Sequence, residues 1–339
     1  MRTRVTIDEV ASRSGLSVAT VSNALSGGGR MRPETRARVQ ALAQAMGYSA
    51  SPTARRLRLR RSWSIGLIIP DIANPMYGEI ARGAAEVLDN AGCQLLSASH
   101  DAHPERQARF VRSFIAQGLD GVILQPWSSE DAEVGQLVAA GLPVVLLARR
   151  HYAQATDHVG IDNVSAVRQA LVHLADLGHR RIAITLGGGR RSTSADERLS
   201  AYAGFMQERF GRVDERLVLR LPHTDLETGE AQSASVLASG ATAVVTSNDL
   251  VALGIRQGLQ RQGREVPRDL SLLAIDDTYL SALPGIALTS LSLSKRRIGE
   301  TAARLVLERF ENPDKPIEDV VLVPELVPRQ STAAPPARP

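Results

Sequence analysis

Ser17-Val18-Ala19-Thr20-Val21-Ser22-Asn23 sets three hydroxyls, one carboxamide and three small apolar groups within seven residues. Such side chains read base edges when a helix presents them, and Asn commonly pairs with adenine. Presentation depends on which face they share. At about 100° per residue, Val21, Ala24 and Leu25 fall on one side of a helix. Ala19, Ser22 and Asn23 fall on the other, with Val18 on the border. The first set suits a core and the second is free to touch a ligand.

The flanking residues supply the elements that would hold this helix. Thr6 and Glu9 form a capping-box pattern ahead of Ile7, Val10 and Ala11 at helical spacing. Gly15 ends that helix, Leu16 plugs the corner and Ser17 caps the next one. Two short helices joined by a Gly-containing turn make a helix-turn-helix. A third helix follows, with Pro33 in its first turn, Val39, Leu42, Ala43 and Met46 as its buried stripe, and Gly47 as its stop. Three small helices around one apolar cluster make a minimal DNA-reading module.

Charge points the same way. Residues 1–61 hold 12 Arg against 3 acidic residues, net +9, whereas the whole chain is +4, which leaves residues 62–339 at −5. A generally Arg-rich composition would spread evenly; a basic head on a mildly acidic body implies a polyanionic partner for the head alone. The segment 49–62 reads as a linker. Ser51-Pro52 could start a helical turn, but five arginines between Arg55 and Arg61 repel one another, so folding there is expected only on DNA. Leu57 is then a candidate wedge between base steps in the minor groove; the alternative is a solvated linker with Leu57 and Leu59 packed on the body.

From Ile65 apolar runs alternate with amphipathic stretches. Strands are expected at Ser64–Ile69, Gln94–Ala98, Gly121–Leu124, Pro143–Leu147, Arg181–Leu186, Leu217–Leu221, Ala241–Thr246 and Leu270–Ile275, with helical patterns between them. Continuous apolar strands separated by helices mean parallel sheets covered on both faces. The length of this region predicts two doubly wound α/β subdomains with a cleft between. The amphipathic stretch 295–310 and the run 319–323 are expected to return to the first. The expected organisation is a head at 1–48, a linker at 49–62, a body at 63–330 and a frayed tail at 331–339.

In such sheets ligands lie beyond the carboxyl ends of the strands. The residues found there are Asp71, Asn74, Met76 and Tyr77; Gln125 and Trp127; Ala148 and Arg149; Ser192, Ser194 and Arg198; Ser247, Asn248 and Asp249; Asp276 and Asp277. Carboxylates, amides, a guanidinium fork and an aromatic face suit a polar solute such as a sugar or nucleoside. Any one of them could instead be a loop residue or a helix cap; their convergence carries the expectation.

Enzyme motifs are missing: the chain has no GxxxxGK, GxSxG or HExxH. Its seven histidines show no metal-ligand spacing, and neither cofactor nor metal is expected. His173 and His179 read as helix-end residues. The lone Cys93 reads as a small buried side chain and fits a reducing compartment. No apolar run is long enough to span a membrane and no signal peptide is apparent, so a cytoplasmic protein is expected.

Several stretches together resemble the LacI/GalR transcription regulators. These are Val5–Ala11, Gly15–Ser22, Arg32–Arg36, Met46-Gly47-Tyr48, Ile65–Pro75, Asp120–Leu124, Leu177–Ile182, Ser247–Gly254 and Val266–Ser271. The resemblance implies a homodimer whose paired heads bind a near-palindromic double-stranded operator, and a body similar to periplasmic sugar-binding proteins that holds a small effector and changes DNA affinity. It places Val18, Ala19 and Asn23 at base-reading positions, among the DNA contacts expected from Thr6, Ser17, Val18, Ala19, Thr20, Ser22, Asn23 and Arg32. It places Ala54, Arg55 and Leu57 at the hinge. Tyr77, Arg198, Asn248 and Asp276 fall at effector positions, with Asp71, Met76, Ser192, Ser194 and Val245 as further candidates. The chain also departs from the family. Asn23 stands where many members carry Arg, Arg32 where a Ser cap is usual, Ala148 where Asp is frequent, and Leu293-Ser294 where Gln-Pro is common. Two other readings stay open at this level: a solute-binding protein without gene control, which the basic head disfavours, and an architectural DNA binder with steep salt dependence and little sequence preference.

Overall fold

The computed structural model describes residues 5–26, 28, 30–48, 61–187 and 191–336. The chain divides into two compact units, Met1–Ser62 and Trp63–Pro339.

The first unit contains α1 (Ile7–Ser14), α2 (Val18–Ser26) and α3 (Pro33–Ala45). The capping box ahead of α1 is formed, with Thr6 N donating to Glu9 Oε2 at 2.9 Å and Glu9 N to Thr6 Oγ1 at 3.3 Å. Gly15 closes α1 at φ +68°, a conformation that favours glycine. Ser17 Oγ then accepts from Thr20 N at 3.2 Å and so caps α2. Val10, Ala11, Val21, Ala24, Val39 and Ala43 form the buried cluster, with Leu25 and Met46 half-buried against it; Leu42 is also only half-buried.

The second unit holds two six-stranded sheets. Its strands are β1 (Ser64–Ile69), β2 (Gln94–Ser99), β3 (Gly121–Leu124), β4 (Val144–Leu147), β5 (Asp157–Ile161), β6 (Ile182–Leu186), β7 (Val218–Arg220), β8 (Ala243–Val245), β9 (Ser271–Asp276), β10 (Thr289–Ser292), β11 (Asp319–Leu322) and β12 (Glu325–Val327). The first sheet runs β11-β5-β4-β3-β1-β2, all parallel; the second runs β12-β10-β9-β8-β6-β7, parallel except where β12 meets β10. Helices cover both faces of each. On the first sheet, α4 (Pro75–Asn90) and α11 (Lys295–Glu311) lie on one side, and α5 (Pro104–Gln117) and α6 (Ala132–Ala139) on the other. On the second, α7 (Asn163–Asp176) and α8 (Thr193–Phe210) oppose α9 (Leu226–Ala238) and α10 (Asp249–Arg261). One apolar cluster runs through both halves, from Ile65 and Leu147 to Tyr202 and Ile275. The chain passes between the halves after β5, between β10 and α11, and between β11 and β12, so α11 and β11 return to the first sheet as their patterns predict.

Three strands escape the apolar-run criterion, each for a local reason. Strand β5 reads Asp-His-Val-Gly-Ile yet is buried throughout. Its Asp157 pairs with Arg309 at 2.8 Å, and His158 Nδ1 lies 2.7 Å from Asp319 Oδ1. Both side chains find partners more than 150 positions away, which no local pattern reveals. Strand β10 is Thr-Ser-Leu-Ser, and its Ser290 Oγ donates to Asp249 Oδ1 at 2.7 Å. Strand β12 spans only three residues. The expectation of a frayed tail from Ser331 is corrected for residues 331–333. Ser331 is buried, Leu272 N donates to its carbonyl at 2.8 Å, and Ser331 Oγ donates back to Leu272 O at 2.6 Å. His179 closes the end of α7, its N donating to the Leu174 carbonyl at 3.0 Å, and its side chain is also tied into the core. It is buried, with its ring nitrogens 2.8 Å from Thr242 Oγ1 and 2.8 Å from the Ala333 carbonyl.

Candidate functional site

In the head, the capped second helix turns Val21 and Ala24 inward and leaves Ala19 and Asn23 exposed. Val18, on the border of the helical projection, is 40% exposed. Thr6, Ser17 and Arg32 are exposed, and Thr20 and Ser22 half-buried. Arg32 precedes Pro33 without a side-chain cap bond, so its guanidinium is not spent on the helix it introduces. The arrangement presents a small, mostly neutral reading face flanked by hydroxyls and arginines. Ala54, Arg55 and Leu57 lie outside the described residues.

In the body, a cavity of about 850 Å³, open mouth included, lies between the carboxyl ends of the two sheets. Of the residues expected at an effector site, Met76, Tyr77, Ser194, Arg198, Asn248 and Asp276 line it. Three others do not. Asp71 shapes the turn ahead of α4, its Oδ1 accepting from Ala73 N at 2.8 Å. Ser192 is buried as the cap of α8, and Val245, the last residue of β8, is fully buried in the core. Strand-end position alone does not separate a wall residue from the cap or core residue beside it. The strand-end residues Asn74, Gln125, Ala148, Arg149 and Ser247 also reach the wall. Asn163 and Thr224 line the cavity as well, outside the expected set. Asn163 follows β5, which the apolar-run criterion overlooks. Thr224 lies in the loop after β7, where the same strand-end rule would have found it.

Local structure explains how these side chains converge. Asn74 caps α4 and Asn248 caps α10, while Asn163 opens α7 and Ser194 and Ala195 lie in the first turn of α8. Four helix N-termini, with their partial positive charge, therefore open onto the cavity. The backbone is strained at its rim: Ala148 has φ +59°, Asp276 +129° and Asp277 +53°. Lys295, itself buried, holds the strained Asp276-Asp277 pair, its Nζ donating to the Asp276 carbonyl at 2.8 Å and the Asp277 carbonyl at 2.6 Å. Asp277 turns away to Arg329 at 2.7 Å, which leaves Asp276 alone in the cavity.

The polar wall is preorganised. Arg198 Nε donates to Asn163 Oδ1 at 2.8 Å and Nη1 to the Ser247 carbonyl at 3.0 Å. Asn248 Nδ2 donates to the Thr224 carbonyl at 2.8 Å while its Oδ1 accepts from Val251 N at 2.8 Å. Tyr77 Oη donates to Gln125 Oε1 at 3.0 Å. Burial, then the Asp276 charge, pushes the Tyr77 phenol above its ordinary range, so it stays a donor. Burial also raises the Asp276 carboxyl well above its usual value, helped by the Asp249 charge and opposed by Arg198 and Lys295. Asp276 Oδ2 and Ser247 Oγ are buried without a hydrogen-bond partner. Such a wall offers hydroxyl partners of both kinds around an apolar floor of Ile80, Leu147, Val159, Leu186 and Ile298.

The two halves also meet beside the cavity. Thr193 N donates to Ser129 Oγ at 3.1 Å, Arg150 N to Thr193 Oγ1 at 3.0 Å, and Tyr152 Oη to Asp196 Oδ2 at 2.7 Å. Arg150 further bridges Glu197 of α8, at 3.0 Å, and Asp319 of β11, at 3.0 Å. These bonds join the loops after β3 and β4 to the start of α8. Among the described residues no helix is long and apolar enough to cross a membrane.

A helix-turn-helix head on a body of two parallel sheets with a polar cavity between them defines a DNA-binding regulator with a periplasmic-binding-protein-like body. Residues 6–51 match the model of bacterial regulatory proteins of the lacI family, and residues 171–332 match the periplasmic binding protein-like domain. The transcriptional regulator DegA of Bacillus subtilis is 30% identical over 97% of this chain and 98% of its own length. The regulator PtxS of Pseudomonas plecoglossicida is 31% identical over 98% and 96%. A structure of the regulator CelR in complex with cellobiose is 28% identical, with a TM-score of 0.72 over 97% of this chain and 100% of that one. The chain belongs to the lacI family and is a DNA-binding transcriptional regulator, not an enzyme.

Proposed function

We propose that this regulator is a cytoplasmic homodimeric repressor whose affinity for a near-palindromic operator is changed by a sugar-like effector in the body cavity. The observation that carries the reading is the cavity wall, to which both sheets contribute: Tyr77, Gln125 and Arg149 from the first, Arg198, Asn248 and Asp276 from the second. A ligand bridging the two halves acts on their relative placement, which is how binding at one site acquires a coupling free energy with another. The cellobiose bound by the related CelR supports a carbohydrate-sized ligand. The reading assigns base contacts to Val18, Ala19 and Asn23, and neighbouring backbone contacts to Thr6, Ser17, Thr20, Ser22 and Arg32. It assigns effector contacts to Met76, Tyr77, Ser194, Arg198, Asn248 and Asp276, with residues 49–62 as the hinge.

Selection of random duplex DNA on the purified protein, followed by a salt series, tests it. The expected result is a palindrome bound at least about a thousandfold more tightly than random sequence at physiological salt. Loss or gain of that complex on adding a cavity ligand distinguishes an inducer from a corepressor. Recovery of no consensus, with affinity that only collapses as salt rises, would favour an architectural binder instead.

A further inference from the structure

We propose that the effector is an anion, a polyhydroxylated carboxylate rather than a neutral sugar, held through Arg149 and Arg198. The inference rests on the cavity being the effector site and adds the charge class of what it takes.

Among the described residues, the charged side chains that line the cavity are Arg149, Arg198 and Asp276: two guanidinium groups against one carboxylate. Neither guanidinium is in an ion pair with a described residue. Arg198 spends Nε and Nη1 on the neutral oxygens of Asn163 and Ser247. Arg149 spends Nη1 on the Pro126 and Trp127 carbonyls, and its Nε is buried with no partner at all. Burial disfavours the charge on Arg198; Asp276 opposes that effect, and Arg149 lies near enough to add to it. Ala148, the wall residue beside Arg149, offers no acceptor side chain. Neighbouring carboxylates are engaged elsewhere. Asp131 accepts from Gln107 at 2.8 Å and from Ser128 N at 2.9 Å, Glu197 pairs with Arg150, and Asp249 is filled by Thr278 and Ser290.

Two arginines taken out of water beside a single carboxylate are costly. An oxyanion offsets that cost, since the guanidinium fork matches a carboxylate in two parallel hydrogen bonds. The N-termini of α4, α7, α8 and α10 around the same cavity add a field of the same sign. The remaining wall is built for hydroxyls. Asp276 Oδ2 and Ser247 Oγ await partners, and Ile80 and Leu147 offer an apolar floor to the C–H face of a sugar chain. A hydroxylated chain with one ionised end meets all of these; a neutral hexose leaves two guanidinium groups facing the single carboxylate of Asp276.

Calorimetric titration with matched pairs tests the inference: glucose against gluconate and glucuronate, and galactose against galactonate, with glucose 6-phosphate as a phosphate arm. The expected result is an acid that binds at least about thirtyfold more tightly than its neutral counterpart, which is about 2 kcal/mol at about 1.4 kcal/mol per decade. In Arg149→Gln, checked for an unchanged circular-dichroism spectrum and melting transition, the acid's advantage over its neutral counterpart should fall toward parity. A neutral sugar binding as tightly as its acid, or no acid binding at millimolar concentration, overturns the inference. Preference for the phosphate arm over the carboxylates keeps the anion and overturns the carboxylate. An acid that binds with this preference yet leaves operator affinity unaltered upholds the charge class and defeats the regulatory reading on which it builds.

Discussion

At the scale of single residues, Asn23 and His100 carry consequences that experiment can reach. Asn23 is exposed on the reading face of α2, and its carboxamide suits adenine where a guanidinium would suit guanine. Asn23→Arg should therefore change the preferred base at one position of each half-site by about 1–3 kcal/mol. An unaltered selected sequence would remove Asn23 from the base contacts. His100, just after β2, is buried, edge-on to Trp127 with ring centroids 6.2 Å apart. Burial lowers its pKa to about 4, so the folded state holds it neutral. The unfolded chain protonates it near pH 6.5. Its contribution to stability is complete above that value and is lost as the pH falls from about 6.5 towards 4, by up to about 3 kcal/mol. Urea melts across this window should show the loss, and His100→Phe should flatten it; an equally steep variant would place the titration elsewhere.

At the scale of elements, close helix pairs decide what the second unit tolerates. Helices α4 and α11 approach so closely that a Cβ on Gly299 would overlap the Ile80 carbonyl oxygen, and one on Gly83 the Arg296 carbonyl. Gly254 faces Leu226 in the same way where α9 meets α10. In an exposed helix, Gly→Ala would stabilise by roughly 0.5–1 kcal/mol. Here the backbone cannot yield without separating the helices, so Gly299→Ala should destabilise by about 1–3 kcal/mol. A thermal melt of the variant gives the sign directly, and a stabilised protein would mean that the helices slide apart without cost. Because α11 belongs to the first sheet although it follows the second in sequence, such a loss should be felt in both halves.

At the scale of the whole molecule, the body joins two sheets through three chain crossings, one shared apolar cluster and a set of hydrogen bonds beside the cavity. A ligand in the cavity binds the folded body and has no comparable site on the unfolded chain. At a hundredfold excess over its Kd it should stabilise the body by about 2.7 kcal/mol, a rise in Tm of roughly 5–10 °C. A compound that alters operator affinity without moving the body's transition acts somewhere other than this cavity.

The sequence by itself determined the head and most of the framework of the body, because the signals there are local. Thr6 with Glu9, Gly15 and Ser17 set where helices begin and end, and the 100° turn per residue sends Val21 and Ala24 inward and Asn23 outward. Apolar runs bounded by turns marked eight of the twelve strands in advance, and the 319–323 run marked β11. Much of the cavity was legible too, since strand ends in parallel sheets converge. What only the tertiary structure decided was which strand-end residues face the ligand and which are spent elsewhere. Asp71 closes a turn, Ser192 caps a helix and Val245 is core, while Arg149 and Asn163 stand in the wall. The physical reason is the same one that hid β5. A polar residue's role is set by whether its partner is found nearby in space, and for Asp157, His158 and Ser331 that partner lies far along the chain.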